Sequence, residues 1–224
     1  MRFECLPKSS SLTMPDLHFE VLPKKQFQLW QKLQSEAPAL GNLGFYLAGG
    51  TALALQIGHR QSLDFDFFSQ QPNTAEPVSD WLTHFPDFLI RETAPDIVHA
   101  EIDRVKVSFI GHYKYPLVEK SPPLGKLSAA GILDIGLMKL LAVTHRATLR
   151  DYLDLAVILR DHLALSKLLE ASSQKYGGHF NVMICLKALV SFQDVDQEMP
   201  ILLDKSVQDS WQKILTDAVK QASR

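Results

Sequence analysis

Read from its amino end, the chain shows no sustained apolar period over its first twenty or so positions. Pro7, the run Ser9 to Ser11 and Pro15 interrupt it, which predicts an irregular lead-in over residues 1–22. A helical period begins after Pro23, where Phe27, Trp30 and Leu33 share one face of a covering helix. From Phe45 the pattern changes: FYLAGG is a short apolar run ending in two glycines, and TALALQI has the Ala and Leu content of a short helix. In SLDFDFF acid and aromatic alternate, which on an extended strand sends Asp64 and Asp66 to one face and Phe65 and Phe67 to the other. Residues Thr74 to His84 read as a further helix, followed by three β-prone runs at Phe88–Glu92, Ile97–Ile102 and Val105–Ile110. The last two predict a hairpin turning at Asp103 and Arg104, with Ile102 facing Val105, Ala100 facing Val107 and Val98 facing Phe109. On its polar face Glu101 meets Lys106 as a cross-strand ion pair and His99 meets Ser108.

A Pro- and Gly-rich loop, Ser121 to Lys126, closes this half, and no strand pattern follows it. ILDIGLMKLLAVTHR and LRDYLDLAVILRDH are amphipathic, ALSKLLEASSQKYG ends in two glycines as a helix terminus does, and FNVMICLKALVSF and WQKILTDAVKQ complete a set of four or five helices. The fold class is therefore α+β, with a mixed-sheet domain over residues 23–120 and a helical domain over 127–224.

Composition narrows the classes of function. With 46% apolar and 21% charged residues the chain is an ordered globular one, and 23 Lys plus Arg against 25 Asp plus Glu argues against a basic coat for nucleic acid while leaving room for a local basic groove. Cys5 and Cys185 are far apart with no Cys or His at metal-ligand spacing, which argues against a disulfide scaffold or zinc finger and fits reduced thiols in a cytoplasmic protein. The amino terminus has no signal-length apolar run, and the most apolar later stretch, Gly131 to Val143, is broken by Asp134 and Lys139, so no membrane association is expected.

The chemistry concentrates at Gly49-Gly50, thirteen intervening residues, then Asp64-Phe65-Asp66. Paired glycines let backbone approach a triphosphate, the free N–H groups from Thr51 onward suit phosphate oxygens, and two carboxylates on one strand face are hard ligands for Mg²⁺. Taken singly, the glycines are also read as a mere turn and the carboxylates as a solvated strand face. Together they resemble the nucleotidyltransferase superfamily. LAGGTALALQIGHRQSLDFDFF is similar to the first motif block of the AbiEii/AbiGii toxin family, with Gly49, Gly50, Thr51, His59, Arg60, Ser62, Asp64, Asp66 and Phe68 at matching positions. LMKLLAVTHRATLRDYLDL, about eighty residues on, resembles the second block through Lys139, Arg146, Arg150, Asp151 and Asp154. Within one continuous helix Lys139, Arg146 and Arg150 share a face that presents cations to phosphates, and Asp151 and Asp154 either orient those cations or make intrahelical pairs.

This resemblance implies a nucleotidyltransferase-like mixed sheet followed by a helical bundle, and a Mg²⁺-dependent transfer of NMP from an NTP to a hydroxyl with release of pyrophosphate. It assigns the metal to Asp64 and Asp66, the charge on the leaving group to Lys139, and nucleotide contacts to Gly49, Gly50, Thr51, Arg60, Ser62, Lys139, Arg146, Arg150 and Asp151. Arg60 has two fates, a phosphate or a pair with Asp64. The resemblance further implies an RNA acceptor, tRNA among the candidates, and a separately encoded antitoxin. One departure stands out: the superfamily places a third carboxylate at the centre of a later strand, and the matching run here is Val107-Ser108-Phe109. A neutral hydroxyl serves neither as metal ligand nor as base. An enzyme working on two carboxylates thus competes with a binding module that has lost turnover, and with a small-molecule nucleotidyltransferase differing only in its acceptor cleft. His99 and His145 read as surface or satisfied histidines, and Trp30, Trp81 and Trp211 as core.

Overall fold

The computed structural model describes residues 17–223. Five strands, β1 (Tyr46–Ala48), β2 (Phe65–Phe68), β3 (Phe88–Ala94), β4 (Ile97–Ile102) and β5 (Val105–Ile110), form one sheet in the order β1-β2-β5-β4-β3. β2 and β5 run parallel and the other pairs antiparallel. Alternation fixes which face is buried: Phe65 and Phe67 of β2 and Val105, Val107 and Phe109 of β5 point into the core, where the Phe67 and Phe109 rings stack at 5.3 Å and 9°. Helices α1 (Lys24–Asn42) and α3 (Ala75–Leu82) contribute to this core, Trp30 stacking on Phe65 at 6.5 Å and Trp81 meeting Phe109 edge-on at 5.4 Å. Trp30, Trp81 and Trp211 are all buried core residues.

The β4–β5 hairpin has the register the alternation predicts, pair for pair. Asp103 and Arg104 turn it with φ of 51° and 65°, the left-handed pair that matches strand twist in a two-residue turn. Glu101 does not pair with Lys106, however; it accepts from Arg91 Nε of β3 at 3.0 Å. The register of β3 on β4 shifts between Ile90 and Glu92, and the extra residue at that bulge is Arg91.

Three other expectations are corrected. Residues 1–16 of the lead-in lie outside the described residues, but 17–22 are anchored: Leu17, Val21 and Leu22 are buried, Phe19–Val21 form one 3₁₀ turn, and His18 N donates to Leu55 O at 2.9 Å. The Pro- and Gly-rich loop contains a small hairpin, β6 (Pro123–Leu124) with β7 (Leu127–Ser128), turned by Gly125 at φ 64°. Beyond it Ala130 N donates to Leu47 O at 2.8 Å, fastening the second half to β1. The helices are α4 (Ile132–Val143), α5 (Leu149–Asp161), α6 (Leu165–Tyr176), α7 (Val182–Ala188) and α8 (Trp211–Ala222), joined with the sheet in one contiguous apolar core.

The third correction concerns the basic segment, which is not a continuous helix. The β-branched Val143 and Thr144 end α4, the Thr144 hydroxyl bonding back to Leu141 O at 2.6 Å, and Thr148 is extended (φ −94°, ψ 118°) before α5 starts. Lys139, Arg146 and Arg150 therefore occupy a helix, a turn and a second helix. Among the described residues no helix is long and apolar enough to cross a membrane. Cys185 is buried, which pushes its thiol up to about 12, and Cys5 lies outside the described residues.

Phe109 touches three other rings, so Phe109→Ala is expected to lower stability by about 3–5 kcal/mol. Lys106→Ala, exposed on the same strand, is expected to stay within about 0.5 kcal/mol of wild type. Denaturant titration of both variants checks the contrast.

Candidate active site

β1 delivers the chain at Gly49, which opens helix α2 (Gly49–Ile57) in the left-handed conformation, φ +68°. The glycines make room for side chains as well as for a ligand. A Cβ on Gly49 would lie 3.0 Å from Asp66 Oδ2, and one on Gly50 would lie 2.4 Å from Arg60 Nη2. Because that guanidinium is buried and doubly bonded, it has nowhere to retreat. Thr51 ties the helix start to the acidic strand, its hydroxyl bonding Ser62 Oγ at 2.7 Å and the carbonyl of Asp64.

Asp64 immediately precedes β2 and Asp66 is its second residue. Both line a cavity of about 250 Å³ with Gly50, Thr51, Arg60, Ser62, Lys139, Arg146, Thr148, Arg150 and Asp151, so every residue assigned from the sequence except Gly49 converges there. Burial pushes the Asp66 carboxyl above its usual range and the Asp64 charge adds to this, while the Ser108 hydroxyl opposes it. Two half-buried carboxylates under mutual repulsion form a donor set of hard oxygens that fits Mg²⁺. Register places Ser108 directly beside Asp66, and among the described residues no group of three or more His, Cys, Asp or Glu forms a cation site.

The cations are organised by two carboxylates of α5. Asp154 is fully buried and accepts from Arg60 Nε (2.7 Å) and Nη2 (2.9 Å) and His59 Nε2 (2.8 Å), with Lys139 Nζ at 2.8 Å. Burial opposes its charge, yet Arg60 and Lys139 hold the carboxyl well below the usual carboxylate range. Burial lowers the His59 imidazole against the pull of Asp154, and its Nδ1 has no hydrogen-bond partner among the described residues. Asp151 receives Lys139 Nζ at 2.6 Å and Arg146 Nε at 2.8 Å. Asp151 and Asp154 thus orient cations from other elements and make no pair with each other's helix turn. Arg60 pairs with Asp154, neither of whose alternatives in the sequence included this partner. The exposed cations are Arg146, with 62% of its side chain accessible, and Arg150, whose Nη1 lies 4.0 Å from Asp64 Oδ2.

Sequence reasoning did not find what fixes the loop before β2. Ser62 N donates to Val21 O (3.0 Å), Gln61 N to Ile201 O (2.8 Å) and Leu203 N to His59 O (2.9 Å), so segments near both chain ends clamp it. These are backbone bonds that carry no residue signature. Thr148, which sequence reasoning did not single out, is also on the cavity wall, directly before α5.

Residues 33–119 match the family model described as nucleotidyl transferase AbiEii toxin, type IV TA system. The chain is 36% identical over 160 residues to the uncharacterized protein aq_aa25 of Aquifex aeolicus (strain VF5), covering 69% of this chain and 77% of that relative. Among solved structures it aligns with JHP933 from Helicobacter pylori at a TM-score of 0.53 and 17% identity, covering 90% of this chain and 95% of the other. It aligns with MenT4, nucleotidyltransferase toxin Rv2826c from Mycobacterium tuberculosis H37Rv, at 0.57 and 14%, covering 90% and 86%. At such identities these two likenesses are of fold. With the glycine turn, the acidic strand and the matched residues in place, the chain belongs to the AbiEii family of nucleotidyltransferase toxins.

Proposed function

We propose that the chain transfers NMP from an NTP to a hydroxyl acceptor in a Mg²⁺-dependent reaction that releases pyrophosphate. The observation that carries this reading is the convergence of Asp64, Asp66 and Lys139 on one polar cavity at the start of α2. Charge around that cavity is balanced, Arg60, Lys139, Arg146 and Arg150 standing against Asp64, Asp66, Asp151 and Asp154. A triphosphate entering it therefore needs a divalent cation to accompany it. Asp64 and Asp66 would hold Mg²⁺, which supplies neutralisation of the phosphates and orientation of the reacting oxygens.

The protein's own groups divide the remaining work. Lys139 Nζ, nearly enclosed between Asp151 and Asp154, is a preorganised positive charge for the pyrophosphate that develops as the bond to the α-phosphorus breaks. Arg146 and Arg150 keep accessible guanidinium faces and are placed to take the outer phosphates. Arg60, held by three hydrogen bonds to Asp154 and the Gln61 carbonyl, acts chiefly as the rigid floor on which Gly50 rests and keeps its two remaining N–H groups for a phosphate. Membership in a toxin family favours an RNA end, tRNA included, as acceptor, a separately encoded antitoxin as partner, and the cytoplasm as the place of action. Ser108, standing where a third carboxylate is expected, favours the second reading, a nucleotide-binding module without turnover.

Incubation with each α-labelled NTP, Mg²⁺ and total RNA is expected to place label on RNA. Label on the protein instead would indicate self-modification, and no transfer with any divalent metal would favour the binding module. Asp64→Asn and Asp66→Asn are each expected to lower turnover by orders of magnitude with the circular dichroism unchanged. Normal turnover in either would remove that carboxylate from the site. Lys139→Ala is expected to cost about 2–4 kcal/mol in kcat/KM per folded molecule, whereas Lys167→Ala, exposed on α6, changes little. Asp154→Asn leaves Arg60 and Lys139 undercompensated and is expected to cost about 3–5 kcal/mol of stability at neutral pH. Since Asp154 is more acidic folded than unfolded, its contribution is full above pH about 4 and is lost as pH falls through the folded value. Acid denaturation of the Asn variant should lack that part of the pH dependence.

A further inference from the structure

A second cavity, of about 430 Å³, opens beside the polar one and shares Gly50, Asp66, Lys139 and Arg146 with it. Its remaining wall is largely of another character: Phe68 and Ile110 from the ends of β2 and β5, Met138, Leu141 and Ala142 from one side of α4, and Tyr113, with Gly49 and the imidazole of His145 completing it. This wall is firmly set, since Tyr113 N donates to Ser69 O at 2.9 Å and its ring meets Phe68 edge-on at 5.0 Å. An ion-lined cavity continuous with an apolar, aromatic one suits a ligand that is a polyanion at one end and a flat ring at the other. We propose that the second cavity holds a planar nucleobase, carried either by the NTP or by the nucleotide whose hydroxyl attacks it. The proposal rests on the nucleotidyl-transfer reading and deepens it, because the apolar and aromatic part of this wall is ill suited to a polyhydroxylated, cationic sugar acceptor.

The test uses Ala142→Phe, which fills the slot, and Tyr113→Ala, which removes one wall, with binding measured by calorimetry in Mg²⁺. The probes are inorganic tripolyphosphate, the four NTPs and a short single-stranded RNA with a free 3′ hydroxyl. Tripolyphosphate is expected to bind wild type and both variants alike. A loss of tenfold or more in NTP affinity in the variants supports the slot with the base of the NTP as occupant. An equal loss confined to the RNA supports it with the acceptor's base as occupant. Folded variants that bind every NTP and the RNA as wild type does would overturn the proposal. Failure of wild type to bind tripolyphosphate would sink the phosphate-cavity reading, and the proposal with it.

A different observation concerns Ser108. Asp66, Ser108 and His99 form one row across β2, β5 and β4, and His99 Nδ1 lies 3.2 Å from Ser108 Oγ. Neighbours in such a row share a sheet face. We infer that His99 and Ser108 act together as positioning residues for Asp66, His99 Nδ1–H donating to Ser108 Oγ so that the serine hydroxyl proton is directed at the carboxylate. This gives the serine a task that needs no metal ligation. Mn²⁺ affinity in the absence of nucleotide, read by electron paramagnetic resonance, is expected to fall about tenfold in Ser108→Ala and in His99→Ala. The double variant should be no worse than either, and Ser108→Thr should restore binding. Unchanged Mn²⁺ affinity in the folded single variants, or losses that simply add, would overturn the inference.

Discussion

The carboxylate of Asp154 is the constraint on which the site is built. Buried without access to water, it is stable as an anion only while donors from His59, Arg60 and Lys139 surround it, and those donors come from the loop before β2 and from α4. Each consequence leads to the next. Arg60 held in place requires Gly50 to lack a side chain, Gly50 lies in the first turn of α2, and α2 through Thr51 fixes the loop that presents Asp64. A charge that lines no part of the cavity thereby determines where Asp64 stands within it.

The sheet supplies the other half of the geometry. Parallel pairing of β2 with β5 sets Asp66 beside Ser108, and the aromatic face beneath, with Phe67 on Phe109, holds that register from the core side. Sliding either strand by one residue would turn Asp66 inward and Phe67 outward, so the same alternation that buries the core also aims the carboxylate. Stability and function here are enforced by one period-two pattern.

That pattern is why so much was legible in the chain. The hairpin partners, the shared face of Asp64 and Asp66 and the glycine turn all follow from local alternation and turn chemistry. What was not legible depended on distance or on backbone. The bond from Arg60 to Asp154 joins residues 94 apart, and nothing near Arg60 in the sequence favours it over Asp64. Arg91 captured Glu101 because of a bulge that no local rule places. The spacing of Lys139, Arg146 and Arg150 fits a helical face, yet β-branched residues at 143 and 144 broke the helix, and the cations converge because the segment bends. The two glycines were expected to admit phosphate; they are also what lets Asp66 and Arg60 lie so close to the helix start.

The separation between Arg60 and Asp154 also has a meaning in time. A polypeptide leaves the ribosome amino end first, and its early part can begin to fold before the rest exists. When the sheet with Asp64 and Asp66 has emerged, Arg60 has no counter-ion, Lys139 is yet to be made, and the strand-like segment at 201–203 that clamps the loop is later still. A nascent chain of this protein therefore carries its carboxylates long before it carries a working charge cluster. The cluster and the loop it depends on are thus complete only once the chain has been made as far as residues 201–203.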